Sequence, residues 1–122
     1  MMTPDELVEA TRLIAVEENV LTFRRLFSDT LPAKASDPYW QRALALFNRL
    51  ESADQEVFLE VVRNTAIATT STVLGIVDGA HINSIDDSRL VLLDASGKQL
   101  NGDLRELFLH DQEMRASKAL GG

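Results

Sequence analysis

The sequence predicts a mainly α (α+β) fold, with a four-helix core around a central apolar helix at about 53–78 and one small β-hairpin at about 89–100 packed on it. Four segments carry apolar side chains at helical spacings of three and four residues. The third segment is apolar nearly all round, which is typical of a helix that other elements surround. One short β-type run precedes a glycine turn. The 122 residues, 45% hydrophobic and 25% charged, are expected to form a single domain, 1–122.

The first helix is predicted to begin at Thr3, which can cap it while Pro4 takes the first helical position and Glu6 completes a capping box. Its core-facing stripe is expected to contain Leu7, Ala10, Leu13, Val16, Val20, Phe23 and Phe27. The charged residues between these positions, Arg12 among them, are interpreted as a solvated face.

A second helix is predicted to follow the connection 28–36, which contains a proline and small polar residues. Asp37 is its expected cap and Pro38 lies in its first turn. Trp40 stands at the start of its apolar stripe. We interpret Trp40 and Tyr39 as core packing in preference to an aromatic binding platform, because aromatic side chains readily fill cores.

The central helix is predicted to begin with Ser52 as its cap and Gln55 in the answering position of a capping box. One apolar stripe along it contains Phe58, Val62, Ala66, Val73 and Ile76. Ile67 and Leu74 lie on nearly the opposite side; if exposed they would mark an interface, and if covered they belong to the core. A β-branched run makes a strand over Thr69–Val77 the competing assignment, but small side chains there favour a helix that a neighbour can approach closely.

The clearest strand signal is 89–93, followed by a turn sequence in which Gly97 is free to adopt positive φ. An isolated hairpin is marginal in water, so it is expected to lie on the helices. The last helix is predicted to open with a capping box of Asp103 and Glu106 and to run to about Ser117.

Composition narrows the classes of function. The formal net charge is −7 and Lys and Arg are scattered, so no nucleic-acid interface is expected. The chain has no cysteine, which excludes disulfides, thiolate metal sites and a cysteine nucleophile. The sequence contains neither a secretory signal nor an apolar run long enough for a membrane span, so a cytoplasmic protein without membrane contact is expected.

Catalytic and cofactor motifs are missing from the sequence. It has no nucleotide-binding glycine loop and no nucleophile elbow, and no cofactor is expected. His81 lies near Asp78, Asp86 and Asp87, which together could surround a cation in one loop. The spacing matches no metal motif, and aspartates also serve such loops as caps and turn residues. A metal-binding or hydrolytic domain centred on this loop is therefore the alternative hypothesis.

The preferred hypothesis is a small, acidic, non-catalytic interaction protein that binds another protein or a second copy of itself. An acidic chain favours a basic partner, and acidic immunity proteins and antitoxins are the functional analogy. Its predicted interaction residues are Ile67, Leu74, Asp78, His81, Asp86 and Asp87. The runs 69–79 and 100–109 resemble segments of small bacterial proteins of unassigned function, a resemblance that implies no activity and no site residue.

Overall fold

The computed structural model describes residues 2–79 and 90–121 of the chain. Within these residues the backbone forms four long helices. Helix α1 consists of two α-helical parts, Pro4–Thr11 and Asn19–Asp29, joined by a π-helical segment, Arg12–Glu18. The other three helices are α2 (Pro38–Arg49), α3 (Ser52–Val77) and α4 (Leu104–Gly121). A short 3-10 turn, Pro32–Lys34, lies between α1 and α2. The prediction of a mainly α protein is confirmed, and α4 continues past its predicted end at Ser117.

The starts of α1 and α2 are those that the sequence predicts. The Thr3 hydroxyl accepts a hydrogen bond from the Glu6 backbone N–H at 3.1 Å, and the Glu6 carboxylate accepts from the Thr3 N–H at 3.3 Å. The Asp37 carboxylate accepts from the Tyr39 N–H at 2.9 Å. Each of these bonds satisfies a backbone donor that has no partner inside its own helix.

The π-helical segment of α1 changes which side chains face the core. A π turn is wider than an α turn, so it rotates the positions around it relative to the α-helical pattern. Arg12 is only 8% exposed, whereas Leu13 is 45% exposed, so the predicted roles of these two residues are exchanged. The Arg12 guanidinium Nε lies 3.5 Å from Asp111 Oδ2 on α4. The buried cation thereby links α1 to the last helix.

α3 is one continuous helix, so the strand alternative for Thr69–Val77 is wrong. Its start differs in detail from the prediction, because Glu51 is the N-cap residue and Ser52 is already helical. The Gln55 side chain instead donates to the Phe47 carbonyl of α2 at 3.0 Å. This hydrogen bond satisfies a carbonyl at the end of α2 and closes the tight α2–α3 connection.

The predicted β-hairpin at 89–100 is wrong. In its described part, 90–100, an isolated antiparallel bridge joins Leu93 to Gln99, and no strand forms there. The chain does turn back at Gly97, which has a φ of 88°. The segment is therefore an ordered turn rather than a pair of strands.

Backbone hydrogen bonds cross this turn from the Asp94 N–H to the Lys98 carbonyl at 2.9 Å and from the Leu100 N–H to the Leu92 carbonyl at 2.8 Å, and side chains satisfy further backbone groups around it. The Asn101 side-chain oxygen accepts from the Leu92 N–H at 2.9 Å, and its amide nitrogen donates to the Leu90 carbonyl at 2.8 Å and to the Val77 carbonyl at 2.7 Å. The Asp94 carboxylate accepts hydrogen bonds from the Ser96 hydroxyl and from the backbone N–H groups of Lys98 and Ser96, and these bonds lower its pKa. The backbone groups that a ladder would pair are thus satisfied locally.

Two hydrophobic clusters hold the helices together. The first joins α1, α3 and α4 through the buried side chains of Val8, Val16, Leu74, Leu104 and Phe108. The second joins α1, α2 and α3 through Phe27, Leu44, Phe47 and Leu59. The clusters lie towards opposite ends of α1 and α3, so that α4 packs at one end of this helix pair and α2 at the other.

Candidate functional site

α1 and α3 run antiparallel and are joined by two bidentate ion pairs. Arg63 of α3 donates to both carboxylate oxygens of Glu17 at 3.1 and 2.5 Å, and Arg24 of α1 donates to both oxygens of Glu56 at 3.0 and 3.1 Å. These hydrogen bonds hold the pKa of each glutamate below its ordinary value. Because bidentate pairs are geometrically specific, they help to set the register of the two helices and the shape of the groove between them.

An open apolar groove of about 770 Å³ lies between α1 and α3 and reaches α2 at one end. Its lining consists of Thr11, Ala15, Asn19, Phe23 and Phe27 of α1, Tyr39 and Trp40 of α2, and Phe58, Val61, Val62, Thr65, Ala66, Thr69, Thr70, Val73 and Leu74 of α3. None of these side chains is charged at neutral pH, and the polar ones carry only hydroxyl or amide groups. The stretch of α3 along the groove is about 24 Å long at about 1.5 Å per residue. The groove therefore suits an apolar occupant, and its length is that of a short helix.

The end of the groove beside α2 is aromatic. The Trp40 ring centroid lies 6.0 Å from that of Phe23 and 5.9 Å from that of Phe27, and Tyr39 lies 5.2 Å from Trp40. Trp40 belongs to the second hydrophobic cluster, as the packing interpretation predicts, and it also lines the groove. Tyr39 is 57% exposed. As the single tryptophan of the chain, Trp40 is a built-in fluorescence reporter for the groove.

The side of α3 beside the groove is apolar and exposed. Val61 and Val73 are 59% and 50% exposed, and Ile76 is 37% exposed. Residues 64–77 of α3 include no charged side chain. Single exposed apolar residues are ordinary, but a contiguous apolar patch usually marks an interaction surface. We call the groove lining together with Ile76 the α1–α3 face.

Ile67 and Leu74, the apolar residues predicted as interaction residues, are covered by the chain itself. Leu74 is 7% exposed and belongs to the first hydrophobic cluster, and Ile67 packs against that cluster in a partly buried position. Leu74 also contributes to the groove lining. Among the two apolar sides that the sequence shows, the exposed one is the stripe that contains Val73 and Ile76.

Asp78, a further predicted site residue, caps α4 from the end of α3. Its Oδ1 accepts from the backbone N–H groups of Gly102 at 2.8 Å and Leu104 at 3.2 Å, and its Oδ2 accepts from the N–H of Arg105 at 2.9 Å. These donors stand at the helix start, where a negative charge is favourable. Asp78 thus performs the capping role that the sequence assigned to Asp103.

The polar groove residues Thr11, Asn19, Thr65 and Thr69 are the part of the site that the sequence prediction missed. Taken one by one, threonines and an asparagine carry no signal for a binding site. For Thr65 and Thr69, the signal that could have found them is the charge-free stretch 64–77, which begins directly after Arg63. A surface helix ordinarily carries charge along its solvated side, so a long uncharged stretch indicates a covered or binding face.

His81, Asp86 and Asp87 lie outside the described residues, so their predicted role stays a prediction. Among residues 2–79 and 90–121, no group of three or more His, Cys, Asp and Glu side chains is placed to hold a metal ion. None of the helices described here combines the length and apolar character needed to cross a bilayer. Comparison of the chain with protein-family models, with curated proteins and with solved structures finds no match.

Proposed function

We propose that this protein is a small, acidic, non-catalytic interaction protein that binds another protein, or a second copy of itself, through the α1–α3 face. The observation that carries the proposal is the open groove of about 770 Å³ without a charged side chain in its lining. Valines that are half exposed border it. Covering apolar surface is worth about 25 cal/mol per Å², so an occupant of this groove gains free energy from burial.

The shape of the groove favours a helical occupant. An amphipathic helix binds in an apolar groove by placing one stripe of side chains between two helices. Ala15, Thr65, Ala66 and Thr69 are small, so they leave space for another helix to approach closely. The aromatic end around Trp40 offers a pocket for one large anchor side chain, which is where binding energy commonly concentrates.

The charge of the chain supports a basic protein as a partner in the heterologous case. At a net charge of −7, long-range attraction would speed association with a cationic protein, as the analogy with immunity proteins and antitoxins requires. The groove itself would then supply apolar contact, while the acidic surface outside it would steer the encounter.

Two matched substitutions test the proposal. Thr65 and Asn64 are adjacent, exposed and uncharged, but only Thr65 lines the groove. We expect Thr65→Arg to abolish capture of the specific partner, or self-association, while Asn64→Arg retains it. The measurements are affinity capture with identification of the bound chain by mass spectrometry, and the emission of Trp40 as the partner is added.

The proposal predicts that Thr65→Arg alone disturbs binding, with the helical circular dichroism unchanged in both variants. A protein that shows neither a specific partner nor self-association would contradict it. Equal binding by the Thr65→Arg and Asn64→Arg variants would contradict the assignment of binding to the α1–α3 face.

A further inference from the structure

We propose that the groove is filled by the α3 helix of a second copy, in a two-fold symmetric dimer whose antiparallel α3 helices cross at Thr65. This inference rests on the proposed function and names its partner. A two-fold interface uses the same patch on both copies, so the patch must be complementary to itself. The α1–α3 face meets this requirement, because it contains a groove and, beside it, an exposed apolar ridge on the same helix.

Val61 and Thr69 lie one turn to either side of Thr65 on α3, each about 40° around the helix from it. With Thr65 on the two-fold axis of an antiparallel pair, Val61 of one copy lies opposite Thr69 of the other. Both side chains are exposed, β-branched and similar in size. Side chains of this size allow two helices to pack at the usual separation of about 8–10 Å.

The absence of charge on this face matters for a chain with a net charge of −7. Two such copies repel each other, and like charges in contact destabilise a complex. The groove lining contains no charged residue, and the nearest cation on α3, Arg63, is held by Glu17 of the same chain. Two copies can therefore meet here without placing like charges in contact.

The face is of the order of size that a stable interface needs. From Phe58 to Ile76, α3 extends about 27 Å, and two helices side by side are about 20 Å wide, so the face measures on the order of 500 Å² in projection. Accessible area exceeds this projection because side chains stand above the plane. A specific interface buries about 800 Å² on each partner, which is the same order of size.

Cysteine cross-linking tests the register directly, since the native chain has no cysteine. A residue on a two-fold axis lies next to its own copy, within the Cα separation of about 4.4–6.8 Å that a disulfide needs. We expect Thr65→Cys to form a covalent dimer on mild oxidation, and Asn64→Cys to form far less of it. Val61→Cys mixed with Thr69→Cys should cross-link more than either variant alone.

Sedimentation of the cysteine-free protein tests the dimer itself. We expect the mass of two 13.5 kDa chains. Thr65→Arg should raise the dissociation constant by about a hundredfold or more, because it places two unpaired cations at the axis, while Asn64→Arg should leave it nearly unchanged. Unchanged circular dichroism establishes that both variants fold.

Three results would overturn the inference: a strict monomer, a dimer indifferent to Thr65→Arg, or equal cross-linking at positions 64 and 65. The outcome also separates this inference from the proposed function. A monomer that loses a different protein partner on Thr65→Arg refutes the dimer and leaves the binding face intact. A monomer without any partner refutes both.

Discussion

Replacing Asp78 tests how α4 is held against α1 and α3. The Asp78 carboxylate accepts three backbone hydrogen bonds, from Gly102 at 2.8 Å, Leu104 at 3.2 Å and Arg105 at 2.9 Å. The bonds from Leu104 and Arg105 are partly buried, whereas the bond from Gly102 is exposed. Asp78→Ala removes the acceptor for all three donors, and water can readily replace it only at Gly102.

The expected loss follows from the number and charge of these bonds. A helix cap contributes about 1 kcal/mol and a hydrogen bond to a charged group about 1.5–3 kcal/mol, with sums that are not additive. We therefore expect Asp78→Ala to lower the free energy of unfolding by about 2–3 kcal/mol, a large share of the roughly 5–15 kcal/mol of an ordinary domain. Asp78→Asn should cost about 1–2 kcal/mol, because the amide retains one acceptor oxygen and turns a donor towards another donor.

Urea unfolding followed by far-UV circular dichroism measures this difference. Asp103→Ala is the matched control: it removes an exposed acid at the same helix start and should cost about 0.5 kcal/mol through the helix dipole. Equal losses for Asp78→Ala and Asp103→Ala would refute the capping argument. A loss from Asp78→Ala that appears only with a divalent cation present would instead favour the alternative metal-loop hypothesis.

Three further predictions concern charge. Because hydrogen bonds from Arg63 lower the pKa of Glu17, this pair stabilises the fold above about pH 4.3, and its contribution is lost as the pH falls through the lowered pKa. In urea unfolding, Glu17→Gln should reduce the free energy of unfolding that is lost on acidification by about 0.5 kcal/mol, a small amount because both side chains are over a third exposed. An unchanged dependence of stability on pH would contradict this. The free energy of unfolding of Arg12→Met should lie within about 1 kcal/mol of the native value, and that of Arg12→Ala about 2 kcal/mol below it, because packing of the side chain outweighs its ion pair to Asp111. Equal losses in calorimetry would show that the ion pair outweighs the packing. Added salt should tighten the proposed dimer in sedimentation by screening two chains of charge −7, whereas a weaker dimer would indicate that ion pairs hold it together.

The caps of α1 and α2 could be predicted because their signals are local, whereas those predicted for α3 and α4, Ser52 and Asp103, are replaced by Glu51 and Asp78. A cap and its answering side chain lie within one turn, so Thr3 with Glu6, and Asp37, act in the structure as the sequence predicts. The hairpin prediction was wrong because it depended on a second strand, and the Asn101 side chain satisfies the Leu90 and Leu92 backbone in its place. Nothing in the apolar run itself distinguishes these two ways of satisfying a backbone.

The sequence left one step of the packing undetermined, namely which of the two apolar sides of α3 the rest of the chain covers. Periodicity identifies which side chains share a side of a helix, and it separates Ile67 and Leu74 correctly from Val73 and Ile76. It does not say which side another helix will cover. That depends on α4, which begins far along the chain and is fixed to the end of α3 by Asp78.

Once α4 packs on the side of α3 that contains Leu74, the opposite side depends on other elements for cover. α2 reaches this side only at the end where Trp40 lies, and the described residues supply no further helix for the rest. The half-exposed valines therefore stand along a groove that residues 2–79 and 90–121 leave open. A second antiparallel α3 would complete the packing around this helix, so the proposed dimer would bury the apolar side chains that the described residues leave exposed.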